Sequence, residues 1–203
     1  GFVRVNEEKM SKSLGNFFTL RDVLKEYRAE EIRYFILGSH YRSPLNYSDE
    51  QLDSARSALS RLYTALLDTH PLDHPEPGDY QKRFETAMAD DFNTADALAV
   101  LFDLARDLNR AKAESSDEVD GLAGILKYLA NLIGLLEMDA SEFLKSPTSD
   151  KGLTDEVIDD KINQRLKAKS DKNWAQADQI RDELVAAGIV LEDSAEGTRW
   201  RRS

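Results

Sequence analysis

Five consecutive residues near the amino end combine two lysines with two serines, a pattern that suits phosphate binding. Two ammonium groups and two hydroxyl groups on a flexible loop can together donate hydrogen bonds to phosphate oxygens. A solvated basic loop without a ligand is the other interpretation of any such pair of lysines. The pentad is Lys9-Met10-Ser11-Lys12-Ser13, and a glycine follows two residues later.

A second candidate site lies near the carboxyl end. Trp174, Asp178 and Arg181 are spaced by four and three residues, so a helix would place them on one face. Period-2 alternation puts Asp193 on the same side of a predicted strand as the apolar Ile189. An aromatic surface beside carboxylates and cations suits the recognition of unstacked RNA bases. Core packing of the tryptophan and a surface ion pair between Asp178 and Arg181 are the alternatives.

The elements that must position these residues are mainly helical. Apolar residues recur at steps of three and four from Leu52 to Leu136 and predict four helices that bury their stripes against one another. Ser48 is the predicted cap of the first of these helices, and Asn93 or Thr94 the cap of the third. The predicted fold is therefore mainly α: a phosphate loop and helical connector at 1–47, an antiparallel helical bundle at 48–137, a linker at 138–153, and a small α+β module at 154–203 with two helices and a C-terminal β-hairpin.

Composition excludes several classes of protein. The 203 residues are 41% hydrophobic and 32% charged, which is enough material for a folded core. No apolar run approaches the roughly 20 residues that span a bilayer, so we expect no membrane partner. The absence of cysteine excludes disulfides, thiolate metal ligands and a cysteine nucleophile, and fits a reducing compartment. Because the chain begins at Gly1 without an initiator Met, we expect it to be part of a longer protein.

The net charge of −11 taken alone argues against a nucleic-acid partner, but this charge is unevenly distributed along the chain. Residues 1–50 carry eight basic and eight acidic side chains, and residues 151–203 carry ten and eleven. Residues 51–150 carry nine basic and nineteen acidic side chains, so almost all of the excess negative charge of the chain lies in this segment. Both ends of the chain, where the two candidate sites lie, can therefore meet a polyanion.

The residues of both candidate sites, together with their surroundings, resemble bacterial cysteinyl-tRNA synthetases. The pentad matches the KMSKS signature loop of class I aminoacyl-tRNA synthetases. The segments around it and the end of the chain match the cysteine-specific members of that class. These segments are Gly1-Phe2-Val3, Leu14-Gly15-Asn16, Arg33-Tyr34-Phe35, His40-Tyr41-Arg42-Ser43, Leu45-Asn46-Tyr47-Ser48, Asp90-Asp91-Phe92-Asn93-Thr94, Arg165, Ala168, Asn173-Trp174, Ala177-Asp178, Ile180-Arg181-Asp182, Gly188-Ile189, Gly197-Thr198 and Trp200.

The resemblance implies that the parent protein is a cytoplasmic ligase that activates cysteine with ATP and Mg²⁺ and transfers it to its tRNA. The chain would be the C-terminal part of this enzyme, beginning just before the KMSKS loop. Lys12 would stabilise the charge that develops on the leaving pyrophosphate. Lys9, Ser11 and Ser13 would assist in binding ATP, and the connector would contact the stem of the tRNA.

The same resemblance implies that residues 154–203 form an anticodon-binding domain. Trp174 would stack on a base, and Asp178 and Asp193 would accept hydrogen bonds from base edges. The position of Lys169 often carries arginine in the family. A lysine keeps the charge but lacks the planar fork, so its expected contact is to phosphate alone.

The family's nucleotide-binding fold and its cysteine- and histidine-liganded zinc belong to a catalytic domain that would precede this chain. We therefore expect no metal site here, a monomer, and no aminoacylation by the chain alone. Two alternatives are a related ligase of the mycothiol pathway, which lacks the anticodon module, and a non-catalytic acidic helical bundle that serves only as an interaction module.

Overall fold

Helices form most of the computed structural model, which describes residues 3–11, 13, 19–76, 78–146, 153–194 and 197–202. The mainly α fold predicted from the sequence is confirmed. The chain divides into a first unit, residues 1–141, and a second unit, residues 142–203.

The first unit begins with a small three-stranded sheet, which the predicted all-helical connector did not include. Strand β1 (Val3–Val5) lies in the centre, antiparallel to β2 (Glu8–Lys9) and parallel to β3 (Leu45–Tyr47). Asn6 and Glu7 have φ of 49° and 68° and form the two-residue turn between β1 and β2. Strands of two or three residues are too short to show alternation, which is why periodicity did not predict them.

Two short helices, α1 (Leu20–Val23) and α2 (Ala29–Leu37), form the predicted connector. Thr19 caps α1, because its side chain accepts a hydrogen bond from the backbone N–H of Asp22. A core cluster joins the connector to the first helix of the bundle, since Leu52 of that helix packs with three connector residues. The cluster consists of Val23, Tyr27, Ile32 and Leu52, with Phe35 and Tyr47 packed against it.

Four helices follow, as the apolar stripes predicted. Ser48 caps the first and Asn93 the third, each by accepting from a backbone N–H three residues ahead. The third helix is the central one and packs against the other three. The fourth ends at Asn131, earlier than the stripe to Leu136 suggested, and Gly134 follows with φ of 71°. The helices are α3 (Asp49–Leu66), α4 (Asp79–Ala89), α5 (Thr94–Ala113) and α6 (Val119–Asn131).

Two acidic side chains of α2, one buried and one half-buried, tie this helix to the bundle. Glu31 is fully buried, and its Oε1 lies 3.3 Å from Nε of Arg56 on α3. Glu30 accepts hydrogen bonds from the Tyr63 hydroxyl at 2.9 Å and from the backbone N–H of Leu136 at 2.6 Å. Burial raises the pKa of Glu30, and the two hydrogen bonds oppose that rise. These contacts hold α2 in position, because moving the helix would break them and leave a charged group in the interior without a partner.

A further short helix, α7 (Ala140–Lys145), lies in the segment expected to be a linker. Its Phe143 and Leu144 are buried. Two apolar residues in a polar stretch are too weak a signal for a helix, so the sequence predicted none. Residues 147–152 of the expected linker lie outside the described residues.

The second unit contains the two helices and the β-hairpin that the sequence predicted. Gly188, with φ of 76°, ends the second helix in a conformation that favours glycine. The hairpin register pairs Leu191 with Trp200 and Asp193 with Thr198. The core consists of Ile158, Ile162, Ile180, Leu184, Ile189 and Trp200. The elements are α8 (Asp155–Ser170), α9 (Trp174–Ala186), β4 (Ile189–Ser194) and β5 (Gly197–Arg202).

Two glycines of α6 provide a matched test of the packing in the first unit. A Cβ atom on Gly124 would lie 2.6 Å from the carbonyl oxygen of Leu72, whereas a Cβ on Gly121 would meet nothing within 4 Å. We expect Gly124→Ala to lower the free energy of unfolding by about 1–3 kcal/mol, because backbone atoms must shift to make room. Gly121→Ala should raise it by up to about 1 kcal/mol through helix propensity. Denaturant titration measures both changes, and equal effects of the two variants would contradict this packing.

Candidate nucleic-acid interface

Helix α9 presents the predicted aromatic and charged face to solvent. Asn173 caps the helix by accepting from the N–H of Gln176, which makes Trp174 the first helical residue. The indole of Trp174 is 61% exposed, so core packing does not explain this tryptophan. Asp178 and Arg181 are exposed on the same helix and form no hydrogen bond or ion pair with each other. The alternative of a surface ion pair between them is therefore wrong.

A neighbouring face of α9, about 90° around the helix, explains why these side chains remain outside the core. Ala177, Ile180 and Leu184 are buried at helical spacing, and the latter two belong to the core of the second unit. Because only this stripe is held in the core, the remaining positions of α9, including Trp174, Asp178 and Arg181, are exposed to solvent.

The turn between α8 and α9 fixes the start of this face. The backbone N–H of Asn173 donates to the carbonyl of Ala168 at 2.8 Å, and that of Lys172 to the carbonyl of Lys169 at 3.1 Å. The chain reverses its direction at Lys172, which has a positive φ of 57°. The tight turn places Lys169, in the last turn of α8, only five residues from Trp174 at the beginning of α9.

Asp193 lies at the centre of a hydrogen-bonded charge cluster, which we call the Asp193 cluster and which also contains Arg165, Lys169 and Thr198. Its two carboxylate oxygens accept from Arg165 Nη1 and Nη2 at 2.9 and 2.8 Å. Lys169 Nζ donates at 2.9 Å and the Thr198 hydroxyl at 2.6 Å. These donors, Arg165 first, hold the pKa of the Asp193 carboxyl well below its usual range. Each oxygen accepts two hydrogen bonds, so an additional donor would have to displace one of the four.

Arg165 is the member of this cluster that sequence analysis did not assign to the site. Only 6% of its surface is exposed to solvent. Its hydrogen bonds with Asp193 raise its pKa, and the charge of Asp178 makes a smaller contribution. Its Nε has no hydrogen-bond partner among the described residues. The signal was present in the sequence, because Arg165 interrupts the apolar spacing of Ile158, Ile162 and Ala168 on α8. A charge in an apolar stripe usually has a dedicated partner.

The four predicted anticodon residues are therefore arranged in two pairs. Lys169 and Asp193 are in direct contact. Trp174 and Asp178 are exposed on α9, and neither side chain forms a hydrogen bond with another described residue.

Three cations close to Trp174 in the sequence have no ion-pair partner among the described residues. Lys167, Lys172 and Arg181 are exposed and form no ion pair with any residue that the structure describes. Unpaired cations can neutralise phosphates without first losing a protein partner.

The pentad begins at the end of the small sheet of the first unit. Lys9 is the last residue of β2 and lies opposite Arg4 of β1. Met10 lines an apolar cavity of about 170 Å³ together with residues such as Phe35. The hydroxyls of Ser11 and Ser13 are 3.2 Å apart. Met10 anchors the pentad to this apolar cavity, while its neighbours in the sequence are polar and remain at the surface. Lys12, the predicted catalytic lysine, lies outside the described residues.

Neither a metal centre nor a membrane segment is found in the described part of the chain. No group of three or more His, Cys, Asp or Glu side chains there could hold a metal ion. The chain contains no cysteine, so its residues do not fit the zinc site that the resemblance implies for the catalytic domain. None of the described helices combines the length and apolar character that crossing a membrane requires.

Three family models match successive parts of the chain. Residues 1–57 match "tRNA synthetases class I (C) catalytic domain", and residues 83–137 match the "DALR domain". Residues 154–201 match "Cysteinyl-tRNA ligase anticodon binding domain". The last match covers α8, α9 and most of the hairpin, and therefore all the residues of the Asp193 cluster.

Similar proteins are cysteine–tRNA ligases over the full length of the chain. The ligase of Methylococcus capsulatus is 58% identical over 208 aligned positions, and that of Thioalkalivibrio sulfidiphilus is 57% identical over 204. Both alignments cover 100% of this chain but 44% of the relative. The chain thus spans less than half the length of the curated relatives it matches.

A likeness to a solved structure supports the fold. It is the ternary complex of Agrobacterium radiobacter K84 agnB2 LeuRS–tRNA–LeuAMS, with a TM-score of 0.52 and 23% identity. The likeness covers 70% of this chain and 21% of the other. That likeness concerns the fold alone. The three family models together match most of the chain, and relatives more than half identical cover all of it, so the sequence matches the cysteinyl-tRNA synthetase family over its whole length.

Proposed function

We propose that this chain is the tRNA-binding part of a cysteine–tRNA ligase, which activates cysteine with ATP and transfers it to its tRNA in the cytoplasm. The observation that carries the proposal is the exposed Trp174, surrounded by unpaired cations, in a segment that matches an anticodon-binding domain. The same match favours a synthetase over the mycothiol-pathway ligase, which lacks that module. We further propose that the chain acts as a monomer.

The exposed face of α9 supports stacking and hydrogen bonding with an unstacked RNA loop. The indole offers a flat surface to one base, and Asp178 offers a carboxylate without a committed donor one helical turn away. Lys172 and Arg181 are available for phosphates. Stacking gives affinity for any base, whereas the carboxylate selects bases that carry an amino group on their edge.

Asp193 requires an exchange of partners before it can accept a hydrogen bond from a base. Arg165 is buried and holds the carboxylate with two hydrogen bonds, so it stays in place. Lys169 is more exposed, with 34% of its side chain accessible, and it contributes one hydrogen bond on a flexible stem. A base amino group therefore replaces Lys169, whose ammonium group becomes available for a phosphate. This assigns Lys169 to phosphate, in agreement with its lack of a planar fork.

The pentad acts on ATP in the complete enzyme. Lys12 stabilises the negative charge that develops on pyrophosphate as the adenylate forms, and Lys9, Ser11 and Ser13 provide further donors. The hairpin turn at Asn6 and Glu7 and the apolar anchor at Met10 support this role, because they hold the base of the loop in one place.

The anticodon assignment is tested by binding of an anticodon stem-loop of cysteine tRNA. We expect Trp174→Ala and Asp178→Ala each to weaken binding by about 1–3 kcal/mol, the usual contribution of one stacked or hydrogen-bonded base. Fluorescence anisotropy at two salt concentrations measures the affinity, with a stem-loop of altered anticodon as the RNA control. Val157→Ala, at an exposed apolar residue in the first turn of α8, is the protein control and should change nothing. Equal weak binding of both RNAs would instead favour the acidic interaction module.

The Asp193 cluster predicts a pH-dependent stability. The folded-state pKa of Asp193 is lowered, so its contribution is fully present above the unfolded pKa of about 4 and declines as the pH falls below it. We expect Asp193→Asn to lower the melting temperature at pH 7, and the difference from the unmodified chain to shrink below about pH 4. Thermal unfolding across pH 3–7 measures this. A difference that is independent of pH would contradict the ionic character of the cluster.

The role of Lys12 is tested in the full-length synthetase, since the chain alone is expected not to form cysteinyl adenylate. Lys12→Ala should slow ATP–pyrophosphate exchange by about 10²–10³-fold, the effect of losing one donor to a developing charge. Binding of the anticodon stem-loop to the same variant should be unchanged. Exchange at the normal rate would remove Lys12 from the mechanism.

A further inference from the structure

Residues 134–138, which we call the exit segment, follow α6 and are bound to helix α2 by hydrogen bonds. Arg33 Nη1 donates to the carbonyl of Gly134, and the Glu30 carboxylate accepts from the backbone N–H of Leu136 at 2.6 Å. Both bonds join a side chain of α2 to the main chain of the exit segment. The end of the bundle therefore holds α2 through its backbone.

The Tyr63 hydroxyl, on α3, completes this attachment. It donates to Glu30 at 2.9 Å and accepts from the backbone N–H of Met138 at 3.2 Å. Tyr63 is fully buried, so these hydrogen bonds form where water has little access and are correspondingly strong. The Glu30 carboxylate thus binds donors from two parts of the bundle. We call Glu30, Arg33, Tyr63 and the exit segment the α2 clamp.

The exit segment is strained in the conformation that makes these bonds. Leu136 has φ of 58°, a region that a bulky residue rarely adopts. Asn131 Nδ2 helps to enforce it by donating to the carbonyls of Leu135 and Leu136 at 2.8 and 3.2 Å. Gly134 has φ of 71°, and a Cβ atom there would lie 2.6 Å from Arg33 Nη1. Because enforced strain is concentrated at functional sites, the α2 clamp is a candidate for a functional role.

The opposite side of α2 lies at the base of the pentad. A helix turns by about 100° per residue, so Glu30 and Arg33 share one side of α2. Three apolar residues on the opposite side line the cavity of about 170 Å³ that Met10 also lines. These residues are Ile32, Phe35 and Ile36. One helix therefore joins the end of the bundle to the cavity that anchors the pentad.

We propose that Glu30 and Arg33 are positioning residues for the pentad. They bind α2 to the exit segment and thereby hold its apolar side in place beside Met10. A shift of α2 would change the cavity at Met10 and displace the start of the pentad from the phosphates of ATP. The proposal rests on the proposed function, since it requires that the pentad acts on ATP. Both residues act through α2 and Met10 rather than on ATP itself.

Three variants of the full-length synthetase test the α2 clamp by ATP–pyrophosphate exchange. We expect Glu30→Ala to lower kcat by about 10- to 100-fold with little change in KM for cysteine, because misplacing a catalytic element by about 1 Å has an effect of this size. Glu30→Gln keeps an acceptor for the N–H of Leu136 and should retain most of the rate. Gly134→Ala places a Cβ atom against the Arg33 guanidinium and should slow exchange as Glu30→Ala does.

Gly124→Ala is the control that separates positioning from stability. It is expected to destabilise the same unit, but at the contact between α6 and Leu72 rather than at the α2 clamp. At a temperature where both variants are folded, Gly124→Ala should exchange at the normal rate. An equal loss in Gly124→Ala and Glu30→Ala, or a normal kcat in Glu30→Ala, would overturn the proposal.

Amide hydrogen exchange in the chain alone distinguishes this inference from the proposed function, because it requires no activity. We expect Glu30→Ala to speed exchange in residues 3–11, which lead into the pentad, by about 10-fold, and Gly124→Ala to leave it unchanged. Unchanged hydrogen exchange in Glu30→Ala would overturn the α2 clamp and leave the role of Lys12 intact. An unmodified full-length enzyme without cysteine-dependent ATP–pyrophosphate exchange would contradict the proposed function, whereas faster amide exchange in Glu30→Ala would still support the α2 clamp.

Discussion

The two hydrogen bonds between the Arg165 guanidinium and the Asp193 carboxylate determine the arrangement of the second unit. Arg165 is buried among the apolar side chains of α8, so its charge has lost most of its hydration and needs a fixed partner. That partner lies at the exit of β4, and the contact joins the helix to the hairpin. Lys169, one helical turn further along α8, reaches the same carboxylate. One carboxylate therefore sets the position of the hairpin and of two cations.

This constraint also separates the roles of the two acidic residues at the interface. Asp178 is exposed and has no hydrogen-bond donor among the described residues, so it can accept one without any rearrangement. Asp193 is saturated, and it can accept a new donor only in exchange for an existing one. A ligand group that displaces Lys169 must form a hydrogen bond at least as good as the one it replaces. In the proposed exchange a base without an amino group would be disfavoured, because it would displace Lys169 without replacing its hydrogen bond.

Sequence periodicity predicted the parts of the fold that have long, regular apolar stripes. The four helices of the bundle, α8, α9 and the hairpin were found where the spacing placed them. The three-stranded sheet and α7 were not predicted, because their strands and helix are too short for any period to be visible. The exposed face of α9 followed from the spacing of Trp174, Asp178 and Arg181. The commitment of Asp193 to Arg165 did not, since contacts between a helix and a strand depend on tertiary packing that local spacing does not encode.

An acidic chain can bind RNA because screening makes electrostatic interactions local. At physiological ionic strength exposed charges act over about 8 Å, so the acidic excess of residues 51–150 does not cancel cations elsewhere on the surface. That excess repels phosphates wherever no cation is available, which discourages binding along the bundle at random. The proposed RNA contact is then favoured where cations lie near an exposed aromatic residue, as Lys172 and Arg181 lie near Trp174 in the sequence. Negative charge elsewhere would contribute to the specificity of such an interaction, because it disfavours every register in which the RNA misses these cations.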